Sequence, residues 1–181
     1  KILVYGPPPS SGTRDAFVEL AIEAGARKFP AAEAVHAADE AKFKQLVDPL
    51  RRDGWIDAGE NDNAIVQTLT KTPRALGVFG YSFLEENMDK VKGASVNGVK
   101  PTAGTISDGT YPLARSLYIY VKKAHLQAIP GLQQYVAEFA KSWDPNGPLT
   151  KRGMVASSDE VRAKSAEAAK SMPVMDGSDL K

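Results

Sequence analysis

Apolar positions follow two patterns along the chain, short runs and helical periods, and these patterns alternate. Short apolar runs at residues 2–4, 54–56, 76–81 and 116–121 predict strands. Between and after them, apolar residues recur every three or four positions, which predicts amphipathic helices. We expect these helices to end at Gly25, to run from about residue 38 to 51, to follow Asn61, to span 132–143, and to begin at Ser157. The order of elements therefore predicts an α/β fold with a largely parallel sheet.

The pair Asn97–Gly98 is a turn signal, and we expect the chain to change lobes in this region. The predicted division is into residues 1–88 and residues 89–181. Four aromatic residues fall at strand or helix periods and are expected in the core, namely Tyr118, Tyr120, Tyr135 and Phe139.

Composition limits the possible function classes. The chain has 181 residues, 43% of them hydrophobic, and its 23 basic and 22 acidic residues give a net charge of +1. This balance argues against a nucleic-acid or polybasic membrane surface. We also expect a monomer. The absence of cysteine excludes disulfides, thiolate catalysis and zinc–thiolate sites. His36 and His125 lie in no metal-ligand spacing, so we predict no metal and no cofactor.

The segment from Ser10 to Arg14 carries the strongest chemical signal. It follows the first predicted strand and opens the first predicted helix, where backbone N–H groups and the macrodipole attract anions. Hydroxyls and a guanidinium add donors that suit a tetrahedral oxyanion, and the candidate binding residues are Ser10, Ser11, Gly12, Thr13 and Arg14. A plain helix cap by Ser or Thr is the alternative interpretation. No nucleotide P-loop pattern is present, so a small oxyanion is favoured over a triphosphate.

No catalytic constellation is recognisable. The chain lacks a Gly-x-Ser-x-Gly elbow, and its glutamates are more easily interpreted as solvated helix faces than as acid–base pairs. We therefore predict no catalytic residues.

Five segments occur in an order that resembles the phosphate-binding protein of the phosphate ABC transporter, the PstS family. They are residues 11–14, 59–67, 75–81, 96–101 and 109–121. The resemblance implies a type II periplasmic-binding-protein fold with two α/β lobes, an extracytoplasmic or periplasmic location, inorganic phosphate as ligand and a permease as partner. The Ser-Gly-Thr motif of the family matches Ser11, Gly12 and Thr13, and Arg14 follows it as in many members.

The chain departs from the family at two points. Family members often carry an arginine four residues before the motif serine, where this chain has Pro7. The family also has a segment upstream that supplies an acidic acceptor for the proton of hydrogen phosphate. We therefore expect the chain to be a C-terminal portion with one lobe incomplete, retaining one wall of the cleft.

Three alternatives remain open at the level of sequence. The first is a binder of another tetrahedral oxyanion, such as sulfate or molybdate, because Ser11, Thr13 and Arg14 are all donors. The second is an enzyme acting on a phosphorylated small molecule through Ser11 or Thr13. The third is a structural lobe in which the motif only caps a helix.

Overall fold

A computed structural model describes residues 1–176 of the chain. These residues form two compact units, which are described separately below. The first consists of Lys1–Pro101 and Tyr111–Arg115, and the second consists of Thr102–Thr110 and the chain from Ser116 onward. The assignment of residues 1–88 and 89–181 to two lobes stays a prediction, and residues 177–181 lie outside the described range.

A three-stranded parallel sheet organises the first unit, as the alternating pattern predicted. Its strands are β1 (Val4–Gly6), β2 (Trp55–Asp57) and β3 (Leu76–Gly77), in the order β2-β1-β3. In the register, Val4 lies opposite both Trp55 and Leu76. The central strand is therefore the first in sequence, and the chain passes over it between β2 and β3.

Helices connect and cover these strands. They are α1 (Gly12–Phe17), a π-helical stretch (Val18–Glu23) continuing into α2 (Ala24–Ala26), α3 (Pro30–Ala38), α4 (Glu40–Val47), α5 (Asp62–Lys71) and α6 (Tyr81–Glu86). Helices α3 and α6 were not predicted, and the predicted strand 76–81 is limited to Leu76–Gly77, with α6 beginning at Tyr81. The buried core of this unit contains Phe43, Ile65, Val66 and Leu84.

The second unit is helical in its described part. Its elements are α7 (Ala103–Ser107), α8 (His125–Ala128), α9 (Leu132–Phe139), 3₁₀ turns at Ala140–Trp143 and Thr150–Arg152, and α10 (Asp159–Ser171). Gln133 of α9 donates through Nε2 to the carbonyl of Lys170 in α10 at 2.7 Å. The helix predicted to begin at Ser157 is present as α10, with Ser158 as its cap and Asp159 as its first helical residue. No helix within residues 1–176 is long and apolar enough to cross a membrane.

The strand predicted at residues 116–121 is wrong for the described structure. These residues have no regular secondary structure, and Tyr118 and Tyr120 are 73% and 64% exposed. Tyr135 is also exposed, so the predicted core position is wrong for all three tyrosines, whereas Phe139 is half-buried. A run of residues with high β propensity becomes a strand only where its backbone hydrogen-bonds to another strand. No strand among residues 1–176 pairs with residues 116–121.

The turn predicted at Asn97–Gly98 is confirmed. The backbone N–H groups of Val96 and Val99 each donate to the other residue's carbonyl, at 2.9 and 3.0 Å. The φ angles of Asn97 and Gly98 are 51° and 83°, and positive values at both central residues characterise a tight hairpin turn.

Candidate functional site

The predicted anion-binding segment lies at the carboxyl edge of the parallel sheet. Strand β1 ends at Gly6, and a short loop leads to α1, which begins at Gly12. Because the strands are parallel, the loops after β2 and β3 leave from the same edge. The neighbours of β1 lie on opposite sides of it, so this edge is a point where the strand order reverses. Ligands of open α/β sheets commonly bind at such a point.

Ser11 is the N-cap of α1, which agrees with the alternative interpretation of this segment as a helix cap. Its backbone is extended, with φ −90° and ψ 127°, and its Oγ accepts from the backbone N–H of Thr13 at 3.3 Å. Its own N–H donates to the carbonyl of Pro8 at 3.0 Å. The side chain is buried, with 9% of the residue exposed, and its hydroxyl hydrogen has no acceptor among residues 1–176. Ser11 therefore retains a donor while acting as a cap.

The first turn of α1 supplies further donors. The N–H groups of Gly12 and Arg14 occupy the first and third helical positions, so neither has an acceptor within the helix. The helix continues through the π-helical stretch to Ala26, and a longer run of aligned peptides strengthens the positive end of the macrodipole. Backbone geometry thus favours negative charge beside Gly12 and Thr13.

Arg14 rests on an aromatic ring. Its guanidinium carbon lies 5.2 Å from the centroid of the Trp55 ring, which is a cation–π arrangement. Trp55 also contacts Phe17, with ring centroids 5.6 Å apart. The indole Nε1 is buried and has no acceptor in the described part of the chain. The indole therefore fixes the position of the Arg14 guanidinium at the start of α1.

Ser10 lies in the same loop, but its hydroxyl is already engaged. Its Oγ donates to Glu60 Oε1 at 3.0 Å, which ties the loop after β1 to the loop after β2. The loops after β2 and β3 are tied as well, because the backbone N–H of Gly80 donates to Asp62 Oδ2 at 3.2 Å. Burial raises the pKa of Asp62. The role of Ser10 as an anion ligand stays a prediction. It requires that the Ser10 hydroxyl break its hydrogen bond to Glu60.

Arg115 is a site residue that sequence reasoning missed. Its Nη2 donates to the carbonyl oxygen of Gly12 at 2.7 Å, although the two residues are 103 positions apart. A Cβ built on Gly12 would lie 3.2 Å from the same Nη2. One feature of the sequence could have identified Arg115, because it lies within the segment 109–121 that carries the family resemblance.

The two guanidiniums at this edge lack carboxylate partners. Within residues 1–176, no carboxylate oxygen lies within 4.0 Å of the charged nitrogens of Arg14 or Arg115. Three other arginines form ion pairs, namely Arg27 with Glu33, Arg51 with Asp53, and Arg162 with Asp159, whereas Arg52, Arg74 and Arg152 have no such pair among residues 1–176. The carboxyl edge of the sheet therefore carries two positive charges that remain available to an anion.

A separate surface groove of about 440 Å³ lies along α5 and continues to Lys90. Its lining residues are Asn63, Val66, Gln67, Thr70, Asn87 and Lys90, and it includes none of the predicted binding residues. Among the residues that the structure describes, no cluster of three or more His, Asp or Glu side chains could hold a metal ion.

Comparisons with known proteins agree with the predicted family. A family model described as "PBP superfamily domain" matches residues 1–142. Phosphate-binding proteins PstS from Staphylococcus haemolyticus and Staphylococcus saprophyticus are 38% and 30% identical over 141 residues, 75% of this chain. The chain spans only 36% of the length of either relative.

A solved structure agrees in fold. The crystal structure of a possible phosphate binding protein from Planctomyces limnophilus matches 94% of this chain with a TM-score of 0.60 and 26% identity. The match covers 53% of that protein. The predicted binding-protein-like α/β class and the predicted resemblance to the PstS family are confirmed by these matches. Because the family model covers most of its length, this chain belongs to the PBP superfamily domain family.

Proposed function

We propose that this chain binds inorganic phosphate as part of a solute-binding protein that delivers the anion to an ABC transporter. The observation that carries the proposal is the position of Ser11-Gly12-Thr13 at the carboxyl end of the central strand, beside two unpaired guanidiniums. The PstS names of the relatives support phosphate as the anion.

In the proposed complex, the phosphate oxygens accept from the Ser11 and Thr13 hydroxyls and from the N–H groups of Gly12 and Arg14. The Arg14 guanidinium adds a charge-assisted donor. Ser10 joins these ligands once its hydroxyl leaves Glu60. Phosphate binding requires no cofactor and breaks no bond, so we propose no catalysis.

Binding of another tetrahedral oxyanion is the first alternative, and it follows from the same geometry. The proposed ligands are all hydrogen-bond donors, and sulfate accepts hydrogen bonds as phosphate does. A buried acceptor would discriminate between them, because only a protonated oxyanion can donate to it. Competition by sulfate therefore distinguishes a donor-only site from a selective phosphate site.

An enzyme acting on phosphorylated small molecules is the alternative of a different class. It requires a general base or metal beside Ser11 or Thr13. In the described residues, the only hydrogen bond that either side chain makes is the cap from the Thr13 N–H to Ser11 Oγ. Release of phosphate from p-nitrophenyl phosphate would support this alternative over the binding role.

The whole-protein context is also proposed from the relatives. We propose a monomeric protein located outside the inner membrane, in the periplasm or an equivalent extracytoplasmic space, with a permease as its partner. In this proposal, residues 1–88 form part of the second lobe and residues 89–181 form the C-terminal part of the first lobe.

The proposal is tested by equilibrium dialysis of radiolabelled phosphate against the wild-type chain and Thr13→Val. Loss of one hydroxyl donor to a charged oxygen is expected to lower affinity by about tenfold. Thr70→Val is the matched control, since the Thr70 hydroxyl donates only to the Gln67 carbonyl of its own helix. Equal phosphate affinity for Thr13→Val and Thr70→Val would contradict the proposed site.

A further inference from the structure

We propose that Arg115 is a phosphate-binding residue, whose guanidinium reaches the anion from a distant segment of the chain. The proposal rests on the proposed phosphate binding by Ser11-Gly12-Thr13 and adds a ligand to it. Its starting observation is the 2.7 Å hydrogen bond from Arg115 Nη2 to the Gly12 carbonyl, which places a full positive charge beside the middle residue of that motif.

The segment that carries Arg115 is held against the first unit. Residues Tyr111–Arg115 belong to that unit, although the chain on both sides of them belongs to the second. The Tyr111 hydroxyl donates to the carbonyl of Ala94 at 3.3 Å, and the N–H of Ala114 turns back to the carbonyl of Tyr111 at 3.1 Å. Arg115 is thus positioned by a short anchored turn, and its place beside Gly12 does not depend on the guanidinium alone.

The guanidinium of Arg115 has N–H donors that make no hydrogen bond in the described part of the chain. An arginine side chain carries five N–H donors in a rigid plane, and the described structure uses Arg115 Nη2 only in the bond to Gly12. No carboxylate among residues 1–176 neutralises it, in contrast to the pairs Arg27–Glu33 and Arg51–Asp53. A guanidinium anchored by one donor and unpaired in charge suits an oxyanion, which it can contact with two further donors.

Two independent features indicate that something else binds at this point. The side chain of Ser11 is nine-tenths buried, and its hydroxyl hydrogen has no acceptor among the described residues. Arg14 brings a second unpaired guanidinium to the same turn of helix, held over the Trp55 ring at 5.2 Å. In the proposed complex, one anion accepts from the Ser11 hydroxyl and from both guanidiniums and so offsets the two positive charges.

The test uses calorimetric titration of phosphate into the full 181-residue chain and its variants. Arg115→Ala is expected to lower affinity by about ten- to a hundredfold, as expected for loss of charge-assisted hydrogen bonds. Arg115→Gln keeps a donor for the Gly12 carbonyl without the charge and is expected to lose most of the same affinity. Arg115→Lys keeps the charge without the fork and is expected to lose less.

Arg52→Ala is the matched control, because Arg52 is exposed in the same unit and its removal changes the net charge equally. It is expected to bind phosphate within about twofold of wild type, because Arg52 precedes β2 and so lies at the opposite edge of the parallel sheet from the candidate site. Millimolar methylguanidinium, compared with sodium chloride at equal ionic strength, is expected to restore part of the affinity of Arg115→Ala. A merely structural role predicts instead that Arg115→Gln, which keeps a donor for the Gly12 carbonyl, retains the affinity of wild type.

The outcomes separate this inference from the function on which it rests. If Arg115→Gln and Arg115→Ala bind phosphate with the same affinity as wild type, Arg115 is not a phosphate-binding residue. The proposed function would then still stand. Absence of phosphate binding by the wild-type chain would overturn both. If Arg115→Ala fails to fold, Arg115→Gln and Arg115→Lys decide, since both retain a side-chain donor for Gly12.

Discussion

Gly6 and Trp55 approach each other so closely that no side chain larger than hydrogen fits between them. A Cβ on Gly6 would overlap both Cη2 and Cζ2 of the indole. Gly6 ends the central strand and Trp55 begins its neighbour, so this contact sets the position of the ring on which Arg14 rests. The absence of a side chain at residue 6 is therefore linked to the geometry of the candidate anion site.

The first prediction is that Gly6→Ala destabilises the protein, because the added methyl group must displace a ring held by Phe17 and Arg14. The expected loss is about 1–3 kcal/mol, the usual cost of overpacking, measured by urea denaturation. Gly25→Ala is the control, since nothing lies within 4 Å of its Cβ position and the residue is helical. It is expected to stabilise the protein by up to about 1 kcal/mol, and a Gly6→Ala chain as stable as Gly25→Ala would contradict the close contact.

The second prediction concerns Arg14, which stacks on Trp55 and is one of the proposed anion ligands. Arg14→Ala is expected to reduce phosphate affinity by about tenfold and to lower the free energy of unfolding by about 0.5–1 kcal/mol. Trp143→Phe makes Trp55 the sole tryptophan, so phosphate binding can be followed by its fluorescence. If the motif only caps a helix, Arg14→Ala will leave the affinity for phosphate unchanged.

The third prediction is a pH dependence of stability that depends on Glu23. Burial raises the pKa of this carboxyl above its usual value of 4.5, and the neighbouring Asp48 carboxylate raises it further, against a smaller lowering effect of Lys44. Asp48 Oδ1 is itself buried and has no donor in the described structure. Two carboxylates placed together favour a state in which one of them holds a proton.

The sign of the effect follows from linkage. A raised pKa in the folded state means that the stabilising contribution of Glu23 is fully present below pH 4.5 and is lost as the pH rises through the folded-state value. Glu23→Gln is therefore expected to be more stable than wild type near neutral pH, as measured by urea denaturation, with the difference vanishing below pH 4.5. Glu86→Gln, on an exposed helix end, is the control. Equal stability of Glu23→Gln and wild type at neutral pH would contradict the raised pKa of Glu23.

Local signals predicted the elements around the candidate site, because these elements are close in sequence, whereas anion binding by the predicted residues stays a prediction. Ser11 as a cap, the helix that follows it, and the cap at Asn61 all depend on interactions within a few residues. The parallel sheet was also predictable, since its strands alternate with amphipathic helices. Helix α3 was missed although it begins with Pro30, a residue that suits the first helical position.

Long-range features were not predictable from the same signals. Arg115 joins Gly12 across 103 positions, and no periodicity or motif spacing encodes such a contact. The stretch 116–121 has strong β propensity, yet a strand also requires a partner, which propensity does not supply. The engagement of Ser10 by Glu60 was missed for the same reason, because it joins loops that follow different strands.

The measurement that tests the central claim most directly is calorimetric titration of phosphate into this chain, with sulfate as competitor at the same salt concentration and pH. A site built from Ser11, Gly12, Thr13 and arginine donors predicts saturable one-to-one binding that sulfate displaces. Absence of phosphate binding would contradict the proposed anion site. Phosphate binding that sulfate fails to displace would contradict a donor-only site and would require a buried proton acceptor within these 181 residues.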